Sequence, residues 1–123
     1  MSDDGVVAEA FVLVDISEVA SLVGDDAEAL FTPRELAYAR SKSDPERRLA
    51  ARLAAKQAAS QLLGPGVGPR DVEVVRGHGA APTLSFSPAA QARLAALGAA
   101  RAVVSLTHER QQAAASVLLL RDG

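Results

Sequence analysis

Three cations open the question of chemistry in this chain. Arg48, Arg52 and Lys56 recur every fourth residue, a spacing that on a helix aligns positive side chains along one face. Such a row suits a polyanion, and it also suits an ordinary solvated helix face. Further on, Gly64-Pro65-Gly66-Val67-Gly68-Pro69 is a glycine-rich loop whose backbone N–H groups can cradle phosphate where they converge, although it lacks the Lys-Ser/Thr ending of a nucleotide P-loop. Asp15 closes an apolar run. A carboxylate there suits Mg²⁺, which takes one or two carboxylates with waters and phosphates, or it caps the next helix. His108, between Thr107 and Glu109, offers a general base or a phosphate contact, or is a plain loop histidine. His78, flanked by glycines, reads as a turn residue. Ser105 and Thr107 share one strand face, but no Ser-His-Asp order suggests a hydrolase triad.

The elements that must hold these residues can be read from pattern and punctuation. Residues 6–16 form an apolar, β-branched run ending at Asp15, which suits a buried strand. A short helical stretch covers about 17–23. Thr32-Pro33-Arg34-Glu35 supplies an N-cap, a proline at the first helical position and a reciprocal glutamate, so a helix runs to about Arg40. Asp44-Pro45 repeats the cap-and-proline signal, and no Gly or Pro follows until Gly64, which gives the longest helix, 45–63. The glycine-rich segment 64–69 is loop. Residues 71–76 and 82–86 read as strands joined by the turn Gly77-His78-Gly79. Ser87-Pro88 caps a helix ending at Gly98. Residues 101–107 and 113–120 are apolar strands of a hairpin with the polar tip 108–112. This order favours an α+β fold with an antiparallel sheet and one long helix.

Size and composition narrow the class. At 123 residues the chain is one domain, 1–123, with order expected over about 5–121 and fraying at the ends. It has no cysteine, which excludes disulfides, thiol nucleophiles and thiolate metal sites. Aromatic residues are only 3%, so base-stacking platforms for nucleic acid are not expected. No apolar run reaches the roughly 18 residues of a membrane span, and the N-terminus has no basic targeting segment; the expectation is a cytoplasmic protein with neither membrane nor nucleic-acid partner. The net charge of -2 conceals an uneven distribution. Residues 1–31 contain eight acids and no base, while 32–56 contain seven bases against three acids. A basic middle segment can attract an anionic partner even on an acidic protein.

Taken in order, Asp15-Ile16-Ser17-Glu18, Phe31-Thr32-Pro33-Arg34-Glu35-Leu36, the stretch Leu49-Ala50-Ala51-Arg52-Leu53-Ala54-Ala55-Lys56-Gln57-Ala58, Gly64-Pro65-Gly66, Val72-Glu73-Val74 and Val104-Ser105-Leu106-Thr107-His108-Glu109-Arg110 form one pattern. It resembles the holo-acyl-carrier-protein synthase family, the small 4'-phosphopantetheinyl transferases, over about 12–120. The resemblance implies a compact α+β protomer, a homotrimer with sites between subunits, and transfer of the 4'-phosphopantetheine arm of coenzyme A to a serine of an acidic acyl carrier protein, with Mg²⁺ on the pyrophosphate. By position it implies Asp15 as metal ligand and, with Lys56, as catalytic residue. Arg48, Arg52, Lys56, Gly64, Gly66 and His108 are implied around the coenzyme.

Three positions depart from the family pattern. Gln57 replaces the second metal-binding carboxylate, Gln61 replaces a lysine one turn on, and Ser21 replaces an arginine that helps dock the carrier. The amide oxygen of Gln57 can still ligate the metal, but with one negative charge fewer and Asp15 as sole carboxylate the site is expected to hold Mg²⁺ more weakly. The two amides leave local net charge unchanged, so folding is expected to persist while transfer weakens. The leading expectation is therefore a diverged member with lost or weakened transfer, recruited to another step on a carrier-bound or coenzyme-linked acyl substrate in natural-product assembly. The alternative is an active Mg²⁺-dependent transferase.

Overall fold

The computed structural model describes residues 5–22, 27–76 and 81–122. Its elements are β1 (Val6–Asp15), α1 (Ile16–Leu22), α2 (Ala27–Leu30), α3 (Pro33–Arg40), α4 (Pro45–Leu63), β2 (Val72–Val75), β3 (Thr83–Phe86), α5 (Pro88–Ala96), β4 (Arg101–His108) and β5 (Gln112–Leu120). The class is α+β, as the element order implied. The antiparallel strands divide into two sheets, β1-β5-β4 and β2-β3. The expected turn at 77–79, with His78, lies outside the described residues.

Alternation along β1 decides what the larger sheet buries. Val12 and Val14 face the core, while Phe11, Leu13 and Asp15 face outward. The central strand β5 adds Ala113, Ala115, Val117 and Leu119 to the buried side. Against this face lies α4, whose Ala50, Ala51, Ala54, Ala55, Ala58 and Ala59 are all buried. Alanines let the helix approach the sheet closely, and every residue from Leu49 to Lys56 is buried, so the middle of α4 lies in the interior. This central position lets α4 present site residues to more than one surface.

Local signals fix the flanking helices. Thr32 Oγ1 accepts from the Glu35 N–H at 3.3 Å while Glu35 Oε1 accepts from the Thr32 N–H at 2.9 Å, the reciprocal cap the sequence implied. Ser87 Oγ likewise accepts from the Ala90 N–H at the start of α5. Asp44 differs: its side chain makes no cap bond and instead accepts from Arg48 Nε at 3.1 Å. Two short elements escaped the pattern reading, α2 and a 3-10 turn at Pro69–Asp71. Asp71 holds that turn by accepting from the Gly68 N–H at 2.7 Å and the Ser87 hydroxyl at 2.6 Å. Those bonds, the Ser87 hydroxyl's above all, keep its carboxyl below the ordinary range.

Candidate functional site

The expected row of three cations does not form as a row. Steps of four residues advance about 40° around a 3.6-residue helix, so Lys56 stands about 80° around α4 from Arg48. That rotation turns it inward. Lys56 is 1% exposed, and its ammonium donates to Pro69 O at 2.7 Å and Val72 O at 2.6 Å, while Glu35 Oε1 lies at 2.7 Å. Burial pushes the Lys56 amine down and Glu35 pulls it back up. All three ammonium donors have acceptors, so Lys56 ties α4 to α3, the 3-10 turn and β2 rather than facing solvent.

Arg48 and Arg52 do share a recess. With Ala51, Arg76, Leu106, Thr107 and His108 they line a hollow of about 320 Å³ between α4 and β4. His108, expected at a hairpin tip, is the last residue of β4 and meets the arginines here. Arg48 is partly engaged by Asp44. Arg52 has no carboxylate in salt-bridge contact among the described residues. It is 3% exposed and lies against the Tyr38 ring, 4.2 Å from the centroid. Its Nη1 reaches Arg48 O at 3.5 Å, and its Nε is buried with no partner. Burial lowers its pKa, with Tyr38 and then Glu35 opposing the shift. A buried guanidinium without a counter-ion is costly. An anion entering the recess removes that cost.

The glycine loop belongs to a different surface. Gln57, Ser60, Gln61, Gly64, Pro65 and Val67 line an open trough, continued by Leu30, Leu53, Lys56 and Pro69 in a more apolar pocket of about 290 Å³. Gly64 and Gly66 adopt φ of +88° and +95°, the left-handed region that L side chains avoid. Arg48 and Gln57 are nine residues apart, two and a half turns, so recess and trough occupy opposite sides of α4.

Asp15 ends β1 and is exposed, with Oδ1 accepting from Gln112 Nε2 at 3.1 Å across the sheet. Among the described residues no group of three or more His, Cys, Asp or Glu side chains could hold a metal. Asp15 is not among the residues that line the trough or the pocket beside Gln57. One carboxylate and one amide oxygen suit Mg²⁺ only where phosphates and waters complete its shell.

Sequence reasoning missed Glu35 as partner to Lys56, Tyr38 as the support of Arg52, Arg76 in the recess, and Arg93 beside Gly64. The capping pattern accounted for Glu35 already, which hid its second carboxylate oxygen; that atom accepts from the Val74 N–H at 2.8 Å.

Residues 13–116 match the family model described as the 4'-phosphopantetheinyl transferase superfamily. A holo-[acyl-carrier-protein] synthase from an Anaeromyxobacter species is 50% identical over 94 residues, covering 75% of this chain and 72% of that protein. The one from Shewanella loihica is 34% identical over 122 residues, covering 87% and 92%. Among solved structures, the Mycobacterium tuberculosis acyl carrier protein synthase is 34% identical with a TM-score of 0.73, covering 96% of this chain and all of that one. The Neisseria meningitidis holo-[acyl-carrier-protein] synthase shares the fold with a TM-score of 0.83 at 23% identity, covering 94% and 99%. Relatives named as synthases lend no support to recruitment to another step. The ordered motifs, the fold and these similarities together establish that the chain belongs to the holo-acyl-carrier-protein synthase family of the 4'-phosphopantetheinyl transferase superfamily.

Proposed function

We propose that this chain is a working 4'-phosphopantetheinyl transferase that moves the arm of coenzyme A to a serine of an acyl carrier protein. This revises the expectation of lost transfer. The observation that carries it is Arg52: buried, stacked on Tyr38, free of any carboxylate ion pair among the described residues, and opening with Arg48, Arg76 and His108 into one recess. A protein that had abandoned an anionic ligand gains nothing from such a guanidinium. Solved relatives in complex with coenzyme A, from Helicobacter pylori and Bacillus anthracis, support the same ligand class.

In the reaction the serine oxygen bonds to the phosphorus that carries pantetheine, the pyrophosphate bond breaks, and 3',5'-ADP leaves with the electron pair. The serine proton passes to solvent water as that bond forms. Mg²⁺, when bound, neutralises charge on the pyrophosphate; Asp15 and Gln57 are the residues that would hold it. Arg48, Arg52 and His108 orient the nucleotide end. Gly64 and Gly66 let the backbone approach the phosphates. Lys56 sets the spacing between α4 and that loop.

Opposed halves on α4 argue for a site shared between protomers, since one protomer turns recess and trough away from each other. A surface for assembly exists: Phe11, Leu13 and Val103 on the outer sheet face are 64%, 53% and 38% exposed. Burying one such side chain stabilises association by about 1.5–3 kcal/mol. The expected assembly is a homotrimer. Phe11→Arg should convert it to monomer in light scattering and abolish transfer together with assembly; a monomeric wild-type protein at micromolar concentration contradicts this.

The function is tested by incubating the protein with apo carrier protein, coenzyme A and Mg²⁺ and weighing the carrier. Gain of one phosphopantetheine at catalytic enzyme amounts is the expected result. An Arg52→Gln variant should raise KM for coenzyme A by about tenfold to a hundredfold, the loss of one charge-assisted contact. No transfer by wild type at saturating Mg²⁺ overturns the reading.

A further inference from the structure

The trough beside the glycine loop contains no charged side chain among Gln57, Ser60, Gln61, Gly64, Pro65 and Val67. It also sits at the C-terminal end of α4, where the last carbonyls leave a partial negative charge. Both features disfavour a phosphate there. An anion needs an offsetting cation, and the sequence puts an amide at 61.

Arg93 supplies one from another element. It lies on α5, and its Nε donates to the carbonyl of Leu63, the last residue of α4, at 2.8 Å. A Cβ built on Gly64 would lie 3.4 Å from its Nη2, so the guanidinium rests against the first glycine of the loop. The side chain is exposed, and among the described residues no carboxylate pairs with it and only Nε has a hydrogen-bond partner. The Leu63 bond fixes the guanidinium plane and cancels negative charge at the helix end, while the terminal nitrogens remain able to donate.

We propose that Arg93 is a phosphate-contacting residue, the cation of the glycine-loop half of the site, serving the diphosphate of coenzyme A in place of a basic side chain at position 61. The inference rests on the transferase reading above. Arginine suits the role because its donors form a planar fork: one can hold the helix carbonyl while others reach phosphate oxygen.

Isothermal titration of the full chain with coenzyme A and with inorganic pyrophosphate tests this without turnover. Arg93→Gln should weaken both ligands about tenfold, Arg93→Lys less than about threefold, and adding Gln61→Lys to Arg93→Gln should recover most of the loss, as expected if charge near the loop is what matters. A lowered Tm with unchanged affinity would make Arg93 only a helix cap and overturn the assignment. Gln61→Lys in the otherwise native chain gives a check that leaves α5 intact: a gain below about threefold is expected, whereas a tenfold gain means the loop lacked a cation and also overturns it. Wild-type affinity that Arg93→Gln leaves unchanged removes this inference alone. Wild type binding neither ligand removes the transferase reading with it.

Discussion

Glu35→Ala should cost the fold about 3–5 kcal/mol, the usual penalty for breaking a buried ion pair from one side. The carboxylate lies 2.7 Å from the Lys56 ammonium, with side-chain exposures of 1% for Lys56 and 0% for Glu35. Its removal leaves an ammonium in the interior facing only the Pro69 and Val72 carbonyls. It also strips an acceptor from the Val74 N–H and another from the Thr32 N–H, so two backbone donors lose their partners. The penalty therefore has three sources, and the charge is the largest. Adding Lys56→Met to Glu35→Ala should return part of the loss, because the orphaned ammonium disappears and only backbone groups stay unsatisfied. Urea unfolding followed by circular dichroism measures both. A loss below about 1 kcal/mol for Glu35→Ala would mean that water reaches Lys56 and that the ammonium does not fasten α4 to the turn and β2.

How far the sequence reached can be seen in α4. Its limits, 45–63, were legible because Asp44-Pro45 and Gly64 are strong punctuation and nothing between them interrupts a helix. Its environment was less legible. Fourfold spacing identified Arg48 and Arg52 as neighbours, and they are; the same rule put Lys56 beside them, and the 40° drift per step turned it into the core. Nothing local distinguishes a lysine on the surface from one that meets a glutamate 21 residues earlier, since the contact exists only after α3 and α4 pack. His108 shows the reverse case. As an isolated loop histidine it carried little information, and it gained meaning when the β4 register brought it beside Arg48 and Arg52. Arg93 was invisible for the same reason as Glu35, because α5 reaches the end of α4 only through tertiary structure. The short α2 and the 3-10 turn at Pro69–Asp71 were missed because segments of three or four residues have no period to read.

Gln57→Glu should raise transfer at limiting Mg²⁺ by about tenfold to a hundredfold and lower the Mg²⁺ concentration needed for half-maximal rate. The amide at 57 is exposed on the trough side of α4, so a carboxylate of nearly the same shape can replace it without desolvation cost. In the proposed site, with Asp15 as the sole carboxylate, the ion would depend on substrate phosphates for most of its shell; a second anionic oxygen would give the protein a larger share of the binding. A single preorganised electrostatic group is worth about 2.7–4 kcal/mol in favourable cases, and exposure brings the expectation below that ceiling. Two effects separate in the data. If the gain is in metal occupancy, wild type and variant converge at saturating Mg²⁺; if the carboxylate also orients the pyrophosphate, the difference in kcat persists there. Gln61→Lys added to Gln57→Glu should contribute less than about threefold, because Arg93 already stands at the loop and a second cation within a Debye length meets a partly neutralised charge. Initial rates from carrier mass gain across a Mg²⁺ titration decide the matter. An unchanged Mg²⁺ requirement in Gln57→Glu would show that position 57 does not hold the ion.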